Sequence, residues 1–194
     1  YNAGRFPMEL IPEMGEMGFF GANLEGYGAA GLTNVEYGLI MQELERGDSG
    51  LRSFASVQGA LVMYPIFTYG SEEQRQKYLP RLATGELVGC FGLTEPGFGS
   101  NPGGMTTTAV RDGEEWVLNG EKTWITNGGV AHVAVVWART AEGIRGFLVE
   151  NGTRGYSASD IHGKLSMRAS VTSSLAMADC RIPESQRLPG AVGL

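Results

Sequence analysis

Cys90-Phe91-Gly92-Leu93-Thr94-Glu95-Pro96-Gly97-Phe98-Gly99-Ser100-Asn101 marks the place where the chain changes character. An apolar run stops at Thr-Glu-Pro and gives way to a glycine-rich loop. Through residue 87 the pattern is helical; from residue 88 it turns to short β-branched and aromatic runs. Glycines let a loop backbone approach a ligand closely and adopt positive φ, and the hydroxyls of Thr94 and Ser100 can donate to ligand oxygens. Glycine-rich loops after strands are also commonly simple turns, so the stretch alone leaves both readings open. A dinucleotide fingerprint starting at Gly97 and Gly99 would need a third glycine where Pro102 stands, and the Gly-Lys-Ser/Thr tripeptide of a phosphate loop does not occur.

Upstream, Met8, Leu10, Ile11, Met14 and Met17 fall at helical spacing across residues 6–18, the methionines reading as adaptable core filler. A glycine-rich loop follows over residues 18–31. Thr33-Asn34-Val35-Glu36 is a capping box; it predicts a helix to about Arg46 with Tyr37, Ile40, Met41 and Leu44 on its apolar side. A second helix is expected from Asp48-Ser49-Gly50 to about Met63, where Pro65 argues for a break or kink. Ser71-Glu72-Glu73-Gln74 opens a third, which Pro80 interrupts or restarts.

Downstream, strands are expected at residues 106–110, 116–118, 122–126, 132–139 and 144–150, with further short ones near 174–177 and 180–182. Asp112-Gly113 and Asn119-Gly120 are hairpin signals between them. Helices followed by a run of strands predict an α+β fold, and many hairpins with little helix suggest a small, mainly antiparallel barrel or sandwich.

The 194 residues suffice for one large or two small domains. Hydrophobic content of 42% and charged content of 19% are ordinary for a globular protein. The net charge is −6, and no basic cluster exists to recruit nucleic acid. No apolar run reaches the ~18 residues that cross a bilayer, and no secretory signal is visible. Cys90 and Cys180 lack CxxC spacing and read as buried thiols of a reducing compartment. His132 and His162 have no ligand-spaced partners, so no metal site is expected. The opening Tyr1-Asn2-Ala3 lacks an initiator Met and reads as an internal start.

Phe91 to Ser100, taken with Trp124-Ile125-Thr126, resembles the pair of flavin-binding motifs of the acyl-CoA dehydrogenase family, in particular its glutaryl-CoA branch. Similar segments lie upstream at Glu43 to Gly50 and Tyr69 to Pro80, and downstream at Ile144 to Glu150, so the resemblance covers nearly the whole chain. Phe98 stands where the family usually has a small residue and Asn101 where it usually has Asp; both bear on the shape of the loop.

The resemblance implies an N-terminal helical domain over residues 1–87, its start truncated, and a middle β-barrel domain over 88–194, with the C-terminal helical bundle missing. It implies FAD as cofactor, held by Phe91, Gly92, Leu93, Thr94, Gly99, Ser100, Trp124, Ile125 and Thr126. Thr94 and its backbone would meet the flavin edge, Ser100 the pyrophosphate and the CoA chain, Trp124 the ring face and Thr126 its N5. For Trp124 the competing reading is an ordinary barrel-core aromatic. The catalytic base of the family lies in the missing bundle; Glu95 is read as structural.

Arg52, Ser53 and Ser56 share one helix face, and a guanidinium flanked by hydroxyls suits a carboxylate; a solvated helix face is the competing reading. In the glutaryl-CoA branch an Arg-Ser pair here receives the distal carboxylate, so the resemblance implies substrate binding by Arg52, Ser53, Ser56 and Ser100. The implied reaction of the intact protein is α,β-dehydrogenation of glutaryl-CoA with decarboxylation to crotonyl-CoA. Electron-transfer flavoprotein would be the acceptor and a homotetramer the assembly, in bacterial cytoplasm or the mitochondrial matrix. The fragment alone is expected to be inactive. Rivals are a short- or branched-chain acyl-CoA dehydrogenase, an acyl-CoA oxidase, or a non-catalytic flavin- or acyl-CoA-binding protein.

Overall fold

The computed structural model describes residues 3–194. The helical half holds α1 (Ile11–Glu16), α2 (Asn34–Gly47), α3 (Ser49–Ser56), α4 (Tyr64–Tyr69) and α5 (Glu72–Ala83). Both capping boxes form. Thr33 Oγ1 accepts from the Glu36 N–H at 3.3 Å while Glu36 accepts from the Thr33 N–H at 2.8 Å; Ser71 and Gln74 repeat the exchange at 3.2 and 2.9 Å. The expected apolar side of α2 is only half-buried, and no residue of that helix is fully buried.

The break expected at Pro80 is corrected, while the break or kink expected at Pro65 appears as a change of ladder: the helix that begins at Ser49 reaches Met63, widened into a π-helix over Val57–Met63, and α4 continues directly from it. Pro65 falls in the first turn after the change of ladder, where the N–H it lacks has no obligatory acceptor. Helix α5 runs through Pro80 to Ala83, because Tyr78, Leu79 and Leu82 are buried on either side of it and their burial outweighs the lost ladder bond.

The seven strands are β1 (Gly89–Gly92), β2 (Thr108–Asp112), β3 (Glu115–Thr126), β4 (Val133–Thr140), β5 (Gly143–Glu150), β6 (Tyr156–Asp160) and β7 (Thr172–Pro183). They form one curled sheet in the order β1-β4-β2-β3-β7-β6, with β5 on the other edge of β4. The sheet is mixed: β1 and β2 both run parallel to β4, and the remaining pairs are antiparallel. Asp112-Gly113 makes the β2–β3 hairpin as expected. Asn119-Gly120 does not turn the chain; it lies within a single long β3, opposite a bulge in β7 whose extra residue falls between Met177 and Cys180. Gly120 has φ 150 and lies against Thr107, whose Oγ1 would sit 2.4 Å from a Cβ there. The strands expected separately at 174–177 and 180–182 are likewise one strand, β7.

β1 pairs with β4 from Gly89 to Gly92, and β2 takes over on β4 at Thr108 opposite Arg139. The two strands thus share one edge of β4, and residues 93–107 leave the sheet between them. Alternation along β4 serves two cores. Ala134, Val136 and Ala138 face the inside of the curl with Cys90, Phe147 and Leu175. Val133, Val135 and Trp137 face the helices, among them Phe54, Val62, Ile66 and Leu82.

Two buried polar groups tie these parts together. Gln58, in the π-helix and fully buried, donates to Leu82 O at 2.9 Å and Leu87 O at 2.7 Å and accepts from the Gly89 N–H at 2.9 Å. Lys122 on β3 and Glu95 form an ion pair at 2.8 Å with both side chains shut from water. Lys122 Nζ also donates to Leu93 O at 3.1 Å, and Glu95 accepts from Thr106 N–H and O–H at 2.6 and 2.8 Å and from Thr107 N–H at 2.9 Å. Burial pushes the Glu95 carboxyl up, but Lys122 and the threonine donors outweigh it and hold it at about 2. Burial lowers the Lys122 pKa against the pull of Glu95.

Replacing Gln58 with Leu strands three buried backbone groups and should cost roughly 2–5 kcal/mol in urea unfolding; a cost below about 1 kcal/mol would show the clasp to be dispensable. Lys122→Met leaves a buried carboxylate unpaired and should cost about 3–5 kcal/mol. Because the Glu95 pKa is depressed in the fold, its contribution is complete above the ordinary 4.5 and drains away as pH falls toward about 2. Glu95→Gln should therefore flatten the acid limb of a stability-versus-pH curve, and an unchanged limb would contradict this.

Candidate functional site

The loop that leaves the sheet after β1 and the end of β3 meet at one point. The Thr123 N–H donates to Thr94 O at 2.9 Å, beside the Lys122 bond to Leu93 O. Glu95 and Phe98 exchange backbone hydrogen bonds at 3.2 and 3.1 Å, so Pro96-Gly97 is a tight turn rather than an open coil. The Phe98 ring lies over Gly104, where a Cβ would meet it at 2.4 Å, and the Asn101 side chain packs on the same glycine. Both departures from the family pattern are therefore accommodated inside the loop. Gly99 and Ser100 are exposed at its tip.

Trp124 takes its position from a break in pairing. β3 shifts register against β7 between Lys122 and Ile125, and Trp124 has φ 60, a left-handed conformation that costs a bulky residue about 1–3 kcal/mol. The shift throws the indole out, 63% exposed, and turns Ile125 inward, 3% exposed. Of the three residues Trp124-Ile125-Thr126, the middle side chain thus belongs to the barrel core; Ile125 offers a ligand only its backbone. Thr126 is half-buried and pairs with Thr172.

Trp124 and Thr126 open on a cavity of about 540 Å³ whose far wall is the segment 161–170. That wall is built around Lys164, whose ammonium donates to Met167 O at 3.0 Å, Ser170 O at 2.6 Å and Thr172 Oγ1 at 2.7 Å; burial lowers its pKa. The sequence reading missed both Lys164 and Lys122. A lysine in an aperiodic stretch carries no signal, but Lys122 could have been found: it stands four residues after the inward-facing Leu118, on the face that the strand's alternation buries.

Phe91 is half-buried, edge-on to Trp137 at 6.2 Å. Gly92 lies between Leu175 and Lys122, each 3.3 Å from where a Cβ would be. The neighbouring threonine hydroxyls at 106, 107, 108 and 123 are all engaged within the protein. Those of Thr94, Ser100 and Thr126, and the Trp124 indole N–H, make no hydrogen bond among the described residues. An exposed aromatic face beside uncommitted donors and a loop backbone suits a flat ring with a polar edge, which is what a flavin presents.

Arg52 lies on α3. Its Nε donates to Glu45 at 2.7 Å, and Ser49 donates to the other oxygen of the same carboxylate; these bonds, that of Ser49 first, lower the Glu45 pKa. The two terminal nitrogens of Arg52 make no hydrogen bond among the described residues. Ser53 is buried, and Ser56 donates to Ser53 O at 3.1 Å, which leaves its oxygen able to accept. The start of α3 abuts the cavity wall: a Cβ on Gly50 would lie 3.0 Å from Ser170 N. The arginine helix and the Trp124 cavity therefore share a wall, while Glu95, with both oxygens engaged, is not available to either.

Residues 1–86 match the description "Acyl-CoA dehydrogenase, N-terminal domain" and residues 90–180 match "Acyl-CoA dehydrogenase, middle domain". A solved glutaryl-CoA dehydrogenase from Mycobacterium smegmatis, in complex with FADH2, is 58% identical and superposes with a TM-score of 0.98, over 100% of this chain and 50% of that one. The mitochondrial short-chain specific acyl-CoA dehydrogenase of Sus scrofa is 40% identical over 190 residues, 95% of this chain and 46% of that protein. A solved chain described as an electron transferring flavoprotein of Acidaminococcus fermentans is 39% identical, TM-score 0.93, over 98% of this chain and 52% of that one. The chain thus spans about half the length of the relatives it matches. With its helical and its strand regions both accounted for, it belongs to the acyl-CoA dehydrogenase family.

Proposed function

We propose that this chain forms the flavin- and acyl-binding part of a glutaryl-CoA dehydrogenase. The observation that carries the reading is Arg52: a guanidinium on the helix against the cavity wall, with its Nε fixed by Glu45 and its two terminal nitrogens without a hydrogen bond among the described residues. Arg52 would receive the distal carboxylate of the acyl chain. The 58% identity to the mycobacterial glutaryl-CoA dehydrogenase supports the same substrate.

Bound FAD would supply the acceptor for a hydride from the β carbon. The chain's own residues would hold and orient. Thr94 and its backbone would donate to the polar edge of the ring, Trp124 would cover its face, Thr126 would face N5, and Ser100 would meet the pyrophosphate and the CoA chain. The α proton would pass to a carboxylate outside these residues as the carbon–carbon double bond forms. Loss of CO₂ from the resulting glutaconyl-CoA, with proton uptake at the γ carbon, would give crotonyl-CoA. Electron-transfer flavoprotein would reoxidise the cofactor in a homotetramer of the longer protein, in a bacterial cytoplasm or a mitochondrial matrix.

A second reading is a short-chain acyl-CoA dehydrogenase. It is favoured by the 40% identity to the porcine enzyme and by the ion pair to Glu45, which already neutralises Arg52.

Arg52→Met in the complete gene product separates the two. Leaving a substrate carboxylate unpaired costs about 2–5 kcal/mol, so kcat/KM for glutaryl-CoA should fall roughly thirty- to several-thousand-fold while that for butyryl-CoA holds or rises. Equal losses on both would reject the carboxylate receptor. The 194 residues alone, given FAD and a dye acceptor, should bind the cofactor weakly and turn over no glutaryl-CoA; measurable turnover would mean that a base lies within them.

A further inference from the structure

We propose that Lys122 and Glu95 are positioning residues that hold the two flavin-facing segments in one geometry; this rests on reading those segments as a flavin site. The pair sits where three pieces of chain converge. Its ammonium holds Leu93 O, its carboxylate holds the N–H groups of Thr106 and Thr107, and Lys122 itself is the last β3 residue in register with β7 before Trp124 is thrown out. Close on either side of this clasp lies a group that would touch the ring: Thr94 is one residue after Leu93, and Trp124 is two after Lys122, with the intervening Thr123 bonded to Thr94 O. Neither charged group reaches a ligand, since both side chains are enclosed. Their effect is exerted through the orientation of the Leu93 and Thr94 peptide groups and through the left-handed bulge at Trp124.

A merely structural pair and a positioning pair differ in what a neutral replacement restores. Two neutral side chains of similar volume can replace a buried ion pair with little loss of stability, but they give Leu93 O no ammonium donor and Lys122 no fixed point. The test uses the complete gene product, stripped of cofactor, with FAD titrated by flavin fluorescence and unfolding followed in parallel by circular dichroism. The double variant Glu95→Gln/Lys122→Met should fold yet bind FAD at least about ten-fold more weakly, the loss of one hydrogen bond's worth of geometry. Acrylamide quenching should show Trp124, the exposed one of the three tryptophans in these 194 residues, in a changed environment, read as the difference from the same protein carrying Trp124→Phe. Leu79→Ala, which opens a cavity in the helical core on α5 and so weakens the fold away from both segments, should keep FAD affinity within about two-fold at temperatures where it is folded.

A folded double variant that binds FAD as the parent does would overturn the proposal, and so would an equal loss of affinity in Leu79→Ala. Should the double variant fail to fold, Glu95→Gln alone, which leaves the Lys122 ammonium a neutral acceptor and strands no carboxylate, must show the same selective loss or the proposal falls. A parent protein with no saturable FAD binding would instead bring down the flavin reading itself, and the positioning role with it.

Discussion

Two opposite charges enclosed in protein are stable only if every remaining donor and acceptor around them is used. At Glu95 and Lys122 that condition is met by the backbone of residues 93, 106 and 107, by one threonine hydroxyl and by the Met105 sulfur, 4.0 Å from the ammonium. The consequence is geometric. An apolar contact tolerates sliding, whereas a carboxylate with four donors and an ammonium with a shared carbonyl have one arrangement. The loop between β1 and β2 is therefore not free to choose its path, although it lies outside the sheet and its tip is solvent-exposed. The bulge at Trp124 can persist because the residue two positions before it is held so firmly.

The sheet supplies the rest of the placement. By letting β1 and β2 share an edge of β4, the fold creates a gap in the middle of a sheet rather than at its end, and β3 runs past β2 to close on that gap. Backbone groups that would otherwise be satisfied by a neighbouring strand are presented at the opening. The helical half contributes from the other side: Gln58 fixes the start of β1, and α3 presses on the wall formed by residues 169–170.

Local signals in the sequence were reliable where the structure they specify is local. Both capping boxes and the Asp112-Gly113 hairpin formed as read, since each is decided by residues a few positions apart. Asn119-Gly120 carries the same kind of turn signal and did not turn, because the long pairing of β3 with β7 and the approach of Thr107 decide that position. Pro80 was misjudged similarly: its local cost is real, but the burial around it outweighs it. In the candidate site, spacing could not show that Ile125 turns inward. Nor could it show that Glu45 holds Arg52 across seven residues, spanning the end of one helix and the start of the next. Lys164 was illegible because its partners are backbone oxygens, which any sequence provides.

The shared edge of β4 also sets an order of assembly. The β2–β3 and β4–β5 hairpins close over turns of two residues and can form early. β1 cannot find its place until β4 exists some forty residues later, and the gap between β1 and β2 has no walls until both have docked. The loop that carries Thr94 and Ser100 is thus among the last parts of the sheet to become ordered. During synthesis, the chain emerges with its glycine-rich segment still unplaced, and any ligand arriving then would meet only the helices.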